Sequence, residues 1–124
     1  MDRVFDNYVQ TPQQLIIFEA LRGDGVQRDP VGVTKARAAL EAAYAWLEER
    51  MSGRTWAAGE RFTLADCSAA PALFYADWTH PIPERFEVLR AYRARLNARP
   101  SFARAIEEAR PWRAFFPLGA PDRD

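Results

Sequence analysis

The sequence predicts an all-α domain: a five-helix bundle with a kinked first helix and a central buried helix. Three observations carry this. No run alternates polar and apolar residues for long enough to form a strand with turn residues at both ends. Apolar residues recur instead at helical spacing, in stretches divided by Gly- and Pro-containing breaks. Finally, Thr63-Leu64-Ala65-Asp66, preceded by Phe62, has the Ser/Thr-x-x-acid pattern of a capping box. A Thr at the N-cap accepts a hydrogen bond from the amide three residues on, and the acid there reaches back to the cap's own amide. Phe62 and Cys67 hold the two positions of a hydrophobic staple. The helix that follows, Leu64 to Trp78, is apolar on nearly every side, which suits the centre of a domain better than its surface.

The first helix is expected over about residues 2–22, with Val4, Phe5, Tyr8, Val9, Leu15, Ile16, Ile17, Phe18 and Leu21 forming a wide apolar stripe. Pro12 lies inside it and predicts a kink or break near Thr11. Gly23-Asp24-Gly25 ends it. Asp29-Pro30 opens the second helix as cap and first residue. Its inward positions are Val33, Ala36, Leu40, Ala43, Tyr44, Leu47 and Met51, and Ser52-Gly53 stops it. The loop 54–61 leads to the capped third helix, and His80-Pro81-Ile82-Pro83 breaks the chain after it. A fourth helix over about 84–98 turns Phe86, Leu89, Tyr92 and Leu96 inward. Pro100-Ser101 starts a fifth, with Phe102, Ile106 and Ala109 inward and Pro111 ending it. Trp112, Phe115, Phe116 and Leu118 suggest a tail that packs back on the body.

With 124 residues, 48% of them apolar and 27% charged, the chain reads as one globular domain, residues 1–124, able to close a single core. Its longest apolar run is too short to span a bilayer, and no basic-then-apolar leader opens it. A single cysteine excludes an internal disulfide and points to a reducing cytoplasm. Net charge is zero, against general nucleic-acid binding. Charge is uneven, however: residues 1–84 carry 8 basic and 12 acidic side chains, and residues 85–113 carry 8 Arg against 3 Glu. That suits either solvated helix faces or a basic surface for an acidic partner or a small anionic ligand.

Chemistry is sparse. One histidine and one cysteine are too few for the common zinc sites, so no metal site is expected. There is no glycine-rich phosphate loop. The only Cys-His pair is Cys67 with His80: Cys67 reads as core filler on the buried helix, and His80 as a turn or surface residue. Asp66 could act as a general base, but its capping position accounts for it without chemistry. No residue is assigned a catalytic role.

Taken together, Arg61-Phe62-Thr63-Leu64-Ala65-Asp66-Cys67-Ser68-Ala69-Ala70-Pro71-Ala72-Leu73, the preceding Gly53 to Gly59, the stretch Leu89 to Tyr92 and Arg99-Pro100-Ser101-Phe102-Ala103-Arg104-Ala105 resemble the C-terminal helical domain of glutathione transferases, in particular the bacterial ones. The resemblance covers essentially the whole chain. It implies that Phe62, Thr63 and Asp66 are the family's structural cap. It also implies an apolar electrophile pocket walled by Phe5, Tyr8, Val9 and Pro12 of the first helix and Trp112, Phe115 and Phe116 of the tail; each of these could equally be core. Transferases of this family carry a thioredoxin-like domain ahead of the helical one, and that domain activates the glutathione thiol. This chain has no βαβ pattern and no Val-Pro, Glu-Ser or Gln-Ser dipeptide. The resemblance therefore implies the electrophile-binding half of a glutathione transferase, inactive alone, with glutathione as co-substrate only when a thioredoxin-like domain is supplied and with no tightly bound cofactor. The expected partners are that domain or a partner subunit, and a second copy through the first two helices; nucleic acid and membrane are not expected. The alternative is a stand-alone protein-interaction module of the same fold.

Overall fold

A computed structural model describes all residues 1–124. It is all-helical, with no strand; Trp56 and Gly59 form one isolated bridge. The first helix, α1, is α-helical over Asp2–Val4, π-helical over Phe5–Gln10 and α-helical again over Thr11–Ala20. Pro12 explains the change of winding. It has no amide hydrogen, and in a regular α-helix its ring would press on the carbonyl of Tyr8. The wider turn relieves this. The Thr11 amide donates to the Asp6 carbonyl five residues back, and the Thr11 hydroxyl donates to the same oxygen at 2.9 Å. The discontinuity expected near Thr11 is thus a π segment in an unbroken helix.

The remaining helices are α2 (Pro30–Met51), α3 (Leu64–Thr79), α4 (Glu87–Ala98) and α5 (Pro100–Ala109), followed by a 3-10 segment over Arg110–Phe115. Asp29 caps α2 by accepting the Gly32 amide at 2.8 Å. At α4 the N-cap is Phe86, which has no acceptor to offer. Glu48 of α2 does the capping instead, taking the amides of Val88 at 3.0 Å and Leu89 at 2.7 Å. This cap from a distant helix moves the start of α4 to Glu87, three residues past the expected one.

α3 packs against α1 and α4, and α2 packs against the same two helices. The main core lies between them, with Phe5, Val9, Leu40, Tyr44, Leu47, Met51, Leu73, Leu89, Tyr92 and Leu96 fully buried. A smaller cluster of Phe74, Trp78 and Ile106 joins α3 to α5, and Phe116 and Ala120 of the tail pack on it. Four expectations are corrected. α3 is not enclosed all round: Leu64, Cys67, Pro71 and Tyr75 share an exposed stripe on it. Cys67 falls on that stripe and is exposed, not core; residues 65, 66, 69, 70, 72 and 73 already cover the inward face. Pro71 sits on the stripe too, inside the helix but on its uncovered side. Ala109 is exposed because α5 reaches the core only through Phe102 and Ile106. Of the tail side chains, Phe116 packs back, while Trp112, Phe115 and Leu118 stay exposed.

Candidate functional site

Two polar junctions and three concavities gather the candidate groups. The first junction is the start of α3. Asp66 is fully buried, and its carboxylate accepts four hydrogens. Oδ2 takes the Thr63 amide at 2.8 Å and the Thr63 hydroxyl at 3.3 Å. Oδ1 takes the Ala57 amide at 2.8 Å and the Tyr92 hydroxyl at 2.7 Å. The Ala57 amide is aimed by the tight turn Trp56–Gly59, whose Gly59 has φ of 121°, a backbone state suited to glycine. Burial first, and the Asp66 carboxylate second, push the Tyr92 phenol above its ordinary range, so it stays a donor. With every oxygen engaged and no solvent contact, Asp66 has no lone pair free to act as a base. Phe62 packs edge-on against Trp56 at 5.2 Å and lies under the Arg99 guanidinium at 3.5 Å. With Cys67 exposed, Trp56 is the apolar partner of Phe62.

The second junction is the end of α3. Arg37 donates to the Thr79 carbonyl at 3.1 Å and stands 3.2 Å from His80 Nδ1. Because a guanidinium can only donate, Nδ1 is the acceptor there, and Nε2–H is left to donate to Glu41 at 2.9 Å. That bond chiefly, with Arg85 2.6 Å from the same carboxylate, outweighs partial burial and holds the Glu41 carboxyl below its ordinary value. His80 and Cys67 lie at opposite ends of α3, about 20 Å apart along its axis, so they form no nucleophile–base pair. Nearby, buried Asp77 accepts the Ile82 amide at 2.8 Å and faces Arg93 at 3.6 Å and Arg123 in direct contact. Arg93 is itself buried and donates to the carbonyls of Leu73, Phe74 and Asp124. Burial lowers its pKa, opposed by Asp77.

The concavities separate residues that the resemblance groups into one wall. Phe5 and Val9 are fully buried in the main core and Pro12 is buried beside them, so none offers surface to a ligand. Tyr8 is 63% exposed and lines a groove of about 480 Å³ between α1 and α2, with Val4, Ala39, Ala42, Ala43 and Trp46. Trp112, Phe115 and Phe116 border a different cavity, of about 240 Å³, with Phe74, Tyr75 and Trp78. A third and largest hollow, about 770 Å³, is polar and runs between α4 and the tail, past Asp77, Arg90, Arg93 and Arg123. Sequence reading missed the α2 side of the Tyr8 groove. Its signal was present: residues 39, 42 and 46 form a second apolar stripe at helical spacing, beside the inward one that holds Ala43. No signal marked Arg93, whose partners lie 16 to 31 residues away. No three His, Cys, Asp or Glu side chains converge as metal ligands, and no helix is long and apolar enough to cross a membrane.

Comparison with known proteins adds the following. Residues 18–95 match the family described as glutathione S-transferase, C-terminal domain. Among solved structures, the chain resembles a glutathione S-transferase domain-containing protein from Marinobacter aquaeolei VT8, at 28% identity and a TM-score of 0.70. The match covers 82% of this chain and 52% of that one, so the chain spans about half the length of its structural relative. No curated protein matches.

Proposed function

The chain belongs to the family of glutathione S-transferase C-terminal domains, and on that footing we propose that it is the electrophile-binding half of a transferase that joins glutathione to apolar electrophiles. The observation that carries the reading is the family match together with a fold that offers exposed apolar concavities. In this reading a thioredoxin-like partner domain supplies the thiolate. Its sulfur attacks the electrophilic carbon, and the leaving group departs with the bonding pair. This chain contributes apolar surface that orients the electrophile and excludes water. Tyr8 is the first-helix side chain with surface to offer, and Trp112 and Phe115 are those of the tail; Phe5, Val9 and Pro12 support α1 from within. Glutathione is a substrate, held by the partner domain. A second copy pairs through the first two helices, and the setting is the reducing cytosol.

The test is to fuse the chain behind the thioredoxin-like domain of a bacterial glutathione transferase and to assay conjugation with an aryl halide. The fusion is expected to conjugate and the isolated chain to be inactive. Tyr8→Ala is expected to raise KM for the aryl halide several-fold with little change in kcat. Equal activity of the isolated chain, or an unchanged KM, overturns the reading. A second reading, a protein-docking module, is favoured by Trp112 and Phe115, exposed at 66% and 75% and stacked on each other at 6.1 Å. An inactive fusion together with a defined complex lost in Trp112→Ala would select it.

A further inference from the structure

Aromatic rings crowd together where α3, α5 and the tail meet. The Trp78 centroid lies 4.7 Å from Phe74, 5.6 Å from Tyr75 and 5.3 Å from Phe116. These rings border the cavity of about 240 Å³, which is smaller than a drug-sized site and suits a ligand with a single ring. Two features there exceed what packing needs. Trp78 Nε1–H is buried without any acceptor, although a buried indole N–H ordinarily finds one. The Arg113 guanidinium lies 5.3 Å over the same indole and is held from its other side by Asp124.

Charge decides what the cavity accepts. A cage of aromatic faces by itself attracts a cation. Here the cation positions are already taken, with Arg113 over Trp78 and Arg93 5.4 Å from the Phe74 centroid. A cationic guest would meet Arg113, which lines the cavity. An aromatic acid matches every element: its ring stacks in the cage, and its carboxylate takes the vacant indole N–H and a share of Arg113. We propose that this cavity binds a small aromatic carboxylate, with Asp124 as its built-in competitor for Arg113. The proposal concerns reversible binding by the chain itself and does not depend on transfer chemistry.

The test is titration of the ¹⁵N-labelled chain with benzoate, benzamide and benzylammonium. The four tryptophans give four indole N–H signals, so the site reports on itself. Benzoate is expected to shift the Trp78 indole signal downfield and saturably, while benzamide and benzylammonium leave it in place. Arg113→Gln, at a partly buried side chain, is expected to weaken benzoate about tenfold, and Asp124→Asn to tighten it several-fold. No saturable movement of the Trp78 signal, equal binding of benzamide, or unchanged affinity in Arg113→Gln would each overturn the proposal. Transfer activity in the fusion with a silent Trp78 signal would sink this inference and leave the transferase reading standing.

Discussion

Replacing Asp66 by Ala tests the junction at the start of α3 most directly. The substitution removes the acceptor half of the capping box, worth about 1 kcal/mol. It also strands the Ala57 amide and the Tyr92 hydroxyl, which the structure places 2.8 Å and 2.7 Å from Oδ1. Each buried donor left without an acceptor costs about 1–3 kcal/mol. The expected loss is therefore about 4 kcal/mol, a large part of the stability of a domain this size. With a urea slope of about 2 kcal/mol/M, the unfolding midpoint falls by about 2 M. Asp66→Asn is expected to recover little. Whichever way the amide points, its NH₂ faces a backbone N–H, that of Ala57 on one side or Thr63 on the other. Tyr92→Phe alone should cost about 1 kcal/mol. Combined with Asp66→Ala it should cost less than the sum, because the stranded hydroxyl is gone, with a coupling of about 1–2 kcal/mol. A loss below 1 kcal/mol for Asp66→Ala, or strict additivity in the cycle, refutes the view of Asp66 as a shared acceptor for three segments.

Glu48→Ala removes the only carboxylate on the first amides of α4 and should lower stability by about 1–2 kcal/mol in urea unfolding, whereas Glu49→Ala, exposed and unpaired, should change it by less than about 0.5 kcal/mol. Cys67 should react stoichiometrically with a thiol reagent in the native state, with the helical circular dichroism unchanged; protection until unfolding would contradict its exposure. Glu41 titrates below its ordinary value of 4.5 in the folded chain, so its contribution is complete above that value and is lost as pH falls through the lower folded one. The stability gap between wild type and Glu41→Gln should therefore be fully present above the ordinary carboxylate value and close as pH falls below it; a gap independent of pH would contradict the Glu41–His80–Arg85 arrangement.

What could be read in the sequence were the features a helix specifies within its own turns. The Asp29-Pro30 start, the inward Ala36, Leu40, Ala43, Tyr44, Leu47 and Met51 of α2, and the Thr-x-x-Asp pattern ahead of α3 each lie within one helix length. Their spacing alone is therefore diagnostic. Pro12 likewise announced a local disturbance, though not that the helix would absorb it as a π turn, because that depends on Thr11 and Asp6 trading partners around an otherwise continuous rod. Contacts between distant segments were not legible. Composition cannot say which side of an apolar helix is left uncovered, so Cys67, placed in the core by its neighbours' hydrophobicity, lies on the open stripe of α3. The same holds for the second role of Asp66 toward Ala57 and Tyr92, for Glu48 capping a helix some 40 residues away and for the distance between Tyr8 and the tail aromatics. The sequence by itself determined the helices, the caps of α2 and α3 and the family, because backbone hydrogen bonding and helical period act over a few residues. Only the tertiary structure decided which carboxylates are shared, which aromatics face solvent and which of them form a cavity, because those depend on chain segments meeting across a core that no local pattern encodes.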